Sequence, residues 1–133
     1  MSIEFPLGNP APAQWFSGEV HMAKLDDNVQ IETVNVSFEA GGRTNWHTHP
    51  VGQNIIVLSG LGIYEAEGEP ARLLEPGDVV FAAAGVRHWH GAVSGAPMFH
   101  VVVNLKGIDG ETVDWEEPVD EEHYRSVSAE LQA

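Results

Sequence analysis

The chain has no cysteine among its 133 residues. That absence removes disulfides, thiolate metal sites and cysteine nucleophiles together, and it fits a cytoplasmic setting. Basic residues are scarce: six Lys and Arg stand against twenty Asp and Glu, giving a net charge of −14. Phosphate polymers and anionic membranes reward Lys and Arg, so nucleic acid and membrane surfaces are not expected partners. Much of the acid lies between Asp109 and Glu130, where nine carboxylates face only Arg125, and it reads as a solvated surface. No apolar run reaches membrane-spanning length; Asn54 to Leu58 is strand-sized. The opening Met1-Ser2-Ile3-Glu4-Phe5-Pro6 has neither a basic nor an apolar leader region, so no signal peptide is expected. Repeats, low-complexity linkers and composition breaks are missing too, which predicts one domain with its own core.

Helical periodicity is also in short supply. Only Val119 to Leu131 reads as helix, with Asp120 as N-cap and acids in its first turn. The rest is short β-branched and aromatic runs broken by turn residues, the pattern of an all-β barrel or sandwich. Strands are expected at Val20–Leu25, Gln30–Glu39, Gly42–Thr48, Gln53–Ser59, Gly62–Glu67, Ala71–Leu74, Asp78–Ala83, His88–Ala92, Met98–Leu105 and Thr112–Trp115. Val34, Val36 and Phe38 alternate with polar residues and should face inward. Residues 1–18, rich in proline, form an extended arm anchored by Trp15 and Phe16; residues 19–117 form the barrel, and 118–133 the helix and tail.

Against this background two glycine-bounded blocks stand out. The first is Gly41-x5-His47-x-His49-x3-Gln53-x6-Gly60; the second is Gly77-x7-Gly85-x2-His88. Residues i and i+2 of a strand project to the same face, so His47 and His49 can reach one ion. Gln53 follows the His49-Pro50-Val51-Gly52 turn, and His88 must come from a neighbouring strand. Three imidazoles and an amide oxygen suit a divalent first-row metal with room for water or substrate. Trp46 and Trp89 adjoin these histidines and should point the other way.

The two blocks resemble the paired motifs of the cupin superfamily, with Gln53 standing where that pattern usually has glutamate. The resemblance implies a small double-stranded β-helix, or jelly-roll, barrel with a metal in its mouth. A narrower resemblance runs through Gln14-Trp15-Phe16-Ser17-Gly18, the stretch from Gly42 to Gln53, Pro76-Gly77-Asp78-Val79-Val80, His88-Trp89-His90-Gly91-Ala92, Met98-Phe99-His100 and Val113-Asp114-Trp115. Those segments look like the bacterial cupin hydroxynitrile lyases. That likeness implies cyanohydrin cleavage or formation with a divalent ion, foremost Mn(II), with Fe(II), Zn(II) or Ni(II) as alternatives. It also implies a homo-oligomer, a dimer or tetramer paired through its sheets.

Glutamine at position 53 has an electronic consequence. Every protein ligand becomes neutral, so the ion keeps its full charge and acts as a stronger Lewis acid. Neutral ligands also disfavour high oxidation states, which points away from dioxygenases and towards polar lyase, hydrolase or isomerase chemistry. His100, Val102 and Asn104 share one face of their strand; facing the cavity, His100 could serve as general base with a pKa suited to neutral pH, a role the lyase resemblance also favours. His90, two residues past His88 and on the same strand face, is open as a fourth imidazole near the metal, a donor to its ligands or a rim residue. Thr44 and His90 are expected to orient the substrate, and Val34, Val36 and Asn104 to line its pocket. His21 and His123 read as structural or surface residues. Another cupin enzyme, such as an oxygenase or isomerase, and a non-catalytic binder of small ligands remain open on these residues.

Overall fold

A computed structural model describes residues 4–133 of the chain; Met1 to Ile3, the start of the expected arm, lie outside the described residues. The elements run β1 (Asn9–Pro10), β2 (Phe16–Ser17), β3 (Val20–Asp27), β4 (Ile31–Phe38), β5 (Arg43–Thr44), β6 (His47–Thr48), β7 (Gly52–Gly60), β8 (Gly62–Ala66), β9 (Arg72–Leu74), β10 (Val79–Ala83), β11 (His88–Ala92), β12 (Met98–Leu105), β13 (Asp114–Trp115) and α1 (Glu121–Gln132). One antiparallel sheet has the order β1-β3-β4-β12-β7-β10. The other runs β13-β6-β11-β5-β2, with β8 joining β11 to β9. The architecture is the all-β barrel of two facing sheets with a single C-terminal helix.

Alternation drives the packing. Val34, Val36, Phe38, Ile55, Val57 and Val102 turn into the space between the sheets and form the main core with Leu74 and Met98. Burying each such side chain contributes about 1.5–3 kcal/mol, so the two sheets are held together by apolar contact. Gly60 ends β7 at a φ of +83°, where a Cβ would stand 1.9 Å from the carbonyl oxygen of Pro97; only glycine fits that close approach. The second sheet has its outer face covered by α1. Tyr124 and Val127 pack on Trp89, Ile63 and Val93, and the Tyr124 hydroxyl donates to the carbonyl of Ala92 at 2.7 Å. Asp120 caps that helix by accepting from the backbone N–H of His123. Arg43, buried, lies over the Tyr124 ring at 4.0 Å and pairs with Glu121, locking helix to sheet.

The expected strand from Gly42 to Thr48 divides in two. Between β5 and β6 the chain bends so that Asn45 can donate to the carbonyls of Gln14 and Glu116, at 3.2 and 2.9 Å. The N-terminal arm is more than a lead-in. β1 pairs with β3 on the first sheet and β2 with β5 on the second, so the arm crosses the barrel mouth and joins both edges.

Candidate metal centre and active site

The barrel mouth holds a cavity of about 280 Å³. Sheet register builds its polar floor. His88 pairs directly with His47 across β11 and β6. His49 follows one residue beyond β6, and its ring centroid lies 4.9 Å from that of His47 and 5.2 Å from that of His88. Gln53 is the second residue of β7, after Gly52, whose φ of +142° and contact with the Phe81 ring leave no room for a Cβ. His47, His49, Gln53 and His88, the four residues singled out by spacing, are all buried. His90 joins them: His47, His88 and His90 each offer a ring nitrogen within 4.8 Å of the others, an arrangement that can hold a metal ion.

Hydrogen bonds set the tautomers. His47 Nδ1 donates to the carbonyl of Asn45 at 2.8 Å, His49 Nδ1 to that of Thr112 at 2.7 Å, and His88 Nδ1 to that of Val86 at 3.0 Å. A carbonyl only accepts, so each proton sits on Nδ1 and each Nε2 presents a lone pair. His49 Nε2 is buried without any partner. His88 Nε2 faces Gln53 Oε1 at 3.3 Å. The amide nitrogen of Gln53 is already committed to Asn104 Oδ1 at 2.9 Å, so two acceptors meet with no proton between them. Such a contact repels unless a cation sits beside both. Adjacent ligands at right angles on an ion about 2.1 Å away lie about 3 Å apart, so the donor set fits a divalent metal.

Electrostatics agree. Burial holds His47 well below the ordinary histidine range, and its neighbours His88 and His49 push the same way. Burial also lowers His49 and takes His88 to about 4. All three are neutral at pH 7, the form that ligates metals.

His90 and His100 are arranged differently. Their rings meet through His90 Nδ1 and His100 Nε2 at 2.9 Å, leaving His90 Nε2 and His100 Nδ1 without partners. His90 lines the cavity; His100 does not, lying fully buried behind it with Phe38 edge-on at 5.0 Å. The expected near-neutral pKa for His100 is corrected here, because burial lowers it to about 4. Thr44 lines the cavity and its Oγ1 accepts from the backbone N–H of His90 at 3.2 Å. Val34, Val36, Val102 and Asn104 line the wall, as their alternation requires. Trp46 and Trp89 point outward to the second core.

The rest of the wall was missed from sequence. Trp15 and Phe16 of the arm line the cavity rather than merely anchoring it, and Trp115 stacks on Trp15 with ring centroids 5.8 Å apart. Thr112 and Val113 close the rim, while Met22 and Glu32 come from the first sheet. A pair of tryptophans flanking a strand-rich core was the available signal. Arg43 and Arg87 are engaged in ion pairs: Arg43 with Glu121, Arg87 with Glu67, Glu116 and Glu117.

A profile of the family described as Cupin domain matches residues 34–104, a span that includes all four residues singled out by spacing. The chain is a cupin. Over 117 residues, 86% of this chain and 88% of the relative, it is 43% identical to the (R)-mandelonitrile lyase of Granulicella tundricola. A cupin-like protein of Thermotoga maritima superposes on this cupin with a TM-score of 0.87 at 35% identity, covering 92% of this chain and 95% of that one. A double-stranded β-helix protein of Klebsiella pneumoniae, at 24% identity, shares the fold alone with a TM-score of 0.67 over 88% and 99% of the two chains.

Proposed function

We propose that this cupin is a metal-dependent hydroxynitrile lyase, releasing cyanide from small cyanohydrins or adding it to the matching carbonyl. The observation that carries this reading is a neutral donor set, with every Nδ1 tied to a backbone carbonyl, opening onto an apolar cavity walled by Trp15, Phe16, Val34, Val36 and Trp115. The 43% identity to an (R)-mandelonitrile lyase supports mandelonitrile as the first substrate to try. The ion is assigned to His47, His49, Gln53 and His88. His90 is set apart because it bonds His100 instead of a carbonyl.

A divalent ion held there, Mn(II) before Fe(II), Zn(II) or Ni(II), supplies the Lewis acidity that makes a substrate hydroxyl acidic. A base as weak as His100 then suffices. His90 Nε2 takes the hydroxyl proton at the cavity face, and the Nδ1 proton of His90 passes to His100 Nε2. The O–H electron pair becomes the new carbonyl bond as the C–C bond to cyanide breaks, cyanide leaving with that bond's pair. The Thr44 hydroxyl, whose oxygen accepts from His90 N–H, keeps its own proton to donate to the substrate oxygen. Val34, Val36 and Asn104 bound the space for the substituent.

The test is benzaldehyde release from racemic mandelonitrile by protein of known metal content, with Gln53→Glu reloaded with the same ion as control. Metal-dependent cleavage that falls in the variant is the expected result. Fully loaded protein that releases no benzaldehyde, but consumes oxygen at an electrode with a candidate substrate, would turn the reading to an oxygenase.

A homo-oligomer belongs to the same proposal. Leu58, Val79 and Phe81 expose apolar surface on adjoining strands β7 and β10, the latter an unpaired sheet edge. Light scattering should return a mass above that of one chain. A cytoplasmic setting fits a chain without cysteine, and no helix among the described residues is long and apolar enough to cross a membrane.

A further inference from the structure

We propose that Glu32 is a positioning residue for the metal centre: through Asn104 it dictates which end of the Gln53 amide faces the ion. The inference rests on the reading of Gln53 as a ligand. It starts from the sheet register, in which Gln53 on β7, Asn104 on β12 and Glu32 on β4 are direct partners in one row across three neighbouring strands.

The row has a direction. Glu32 is paired with Lys24, its Oε2 3.1 Å from Lys24 Nζ, and a carboxylate can only accept hydrogen bonds. Asn104 therefore turns its NH2 group to Glu32 Oε1, at 3.3 Å. Its carbonyl oxygen is left facing β7, where it accepts from Gln53 Nε2 at 2.9 Å. Gln53 is left with only its oxygen to point towards His88 Nε2. The two ends of an amide have nearly the same shape, so packing alone cannot choose between them; the hydrogen-bond chain does. One fixed acceptor at the cavity wall thus sets two amides in series. An inverted Gln53 would present N–H groups to a cation, a contact that is repulsive and cannot ligate.

The logic reverses with glutamate at position 53. A carboxylate there needs a donor from Asn104, and Glu32 holds that donor facing the other way. Removing the Glu32 charge should therefore hurt the natural site and relieve the altered one.

The experiment measures Mn(II) dissociation constants from the free-ion signal in electron paramagnetic resonance, on folded protein checked by circular dichroism. The variants are Gln53→Ala, Glu32→Gln, Gln53→Glu and the double variant carrying Glu32→Gln with Gln53→Glu. Expected are a loss of about tenfold for Glu32→Gln in the natural background and a gain when the same change is added to Gln53→Glu. Asn104→Leu, which cuts the row at its middle, should match the loss of Glu32→Gln and serves if that variant folds poorly. An equal loss in both backgrounds would mean that Glu32 acts only as a remote charge, and no loss in either would mean that it sets nothing; each overturns the proposal alone. Unchanged affinity in Gln53→Ala would overturn both the proposal and the assignment of Gln53 as a ligand.

Discussion

Two groups of buried histidines lie side by side within the barrel and are held by opposite means. His47, His49 and His88 each surrender one nitrogen to a backbone carbonyl. His90 and His100 surrender theirs to each other. A carbonyl never donates, so the first group has one tautomer and a permanent lone pair on Nε2. Within the second group the proton can sit on either side of a 2.9 Å contact, and each position leaves a different outer nitrogen ready to accept. Rigid tautomers suit the holding of an ion; exchangeable ones suit the movement of a proton.

The largest effect should come from breaking the first group. His88→Ala is expected to weaken Mn(II) binding by at least about 100-fold and to abolish turnover with it, as read by metal analysis after dialysis beside a mandelonitrile assay. Breaking the second group should separate the two readouts. His100→Ala is expected to keep the metal and lose about 10²–10⁴-fold in turnover; His90→Ala should keep the metal as well, and its loss there would move His90 into the ligand set.

Acid sharpens the contrast with a smaller effect. His88 and His100 have folded pKa values of about 4, below the ordinary 6.5. Above pH 6.5 both folded and unfolded chains leave them neutral. Between 6.5 and 4 the unfolded chain binds protons that the folded chain refuses, so stability falls as pH falls, by about 3 kcal/mol per histidine, and levels off below 4. Urea midpoints across that window should show the decline in metal-free protein. Mn(II) should delay it by protecting His88 while leaving His100 exposed to the same penalty. The smallest change concerns the wall: Trp15→Ala should raise KM for mandelonitrile about tenfold with kcat near its original value.

Local periodicity carried much of this site into the sequence. His47 and His49 share a face because a strand repeats every two residues, and the same rule sent Trp46 and Trp89 to the opposite side. The limits of β11 and β12 were legible for that reason, as was the Asp120 cap. Long-range pairing was not. Phe16 reaches the cavity because β2 pairs with β5, opposite Thr44, and a proline-rich arm has no alternation to announce a strand. The bond between His90 and His100 likewise depends on how β11 and β12 lie in facing sheets, which no repeat within either strand encodes. The bend that divides β5 from β6 is imposed by carbonyls of Gln14 and Glu116, from both ends of the chain.

The carbonyls that orient His47, His88 and His49 belong to Asn45, Val86 and Thr112. Every residue carries a backbone carbonyl, so no exchange of one side chain for another deletes these contacts outright. What can move them is the length of the connecting segments. The route by which descendants of this protein retune His49 is therefore insertion or deletion in the loop from Lys106 to Val113, and libraries of point changes alone would leave that degree of freedom unexplored.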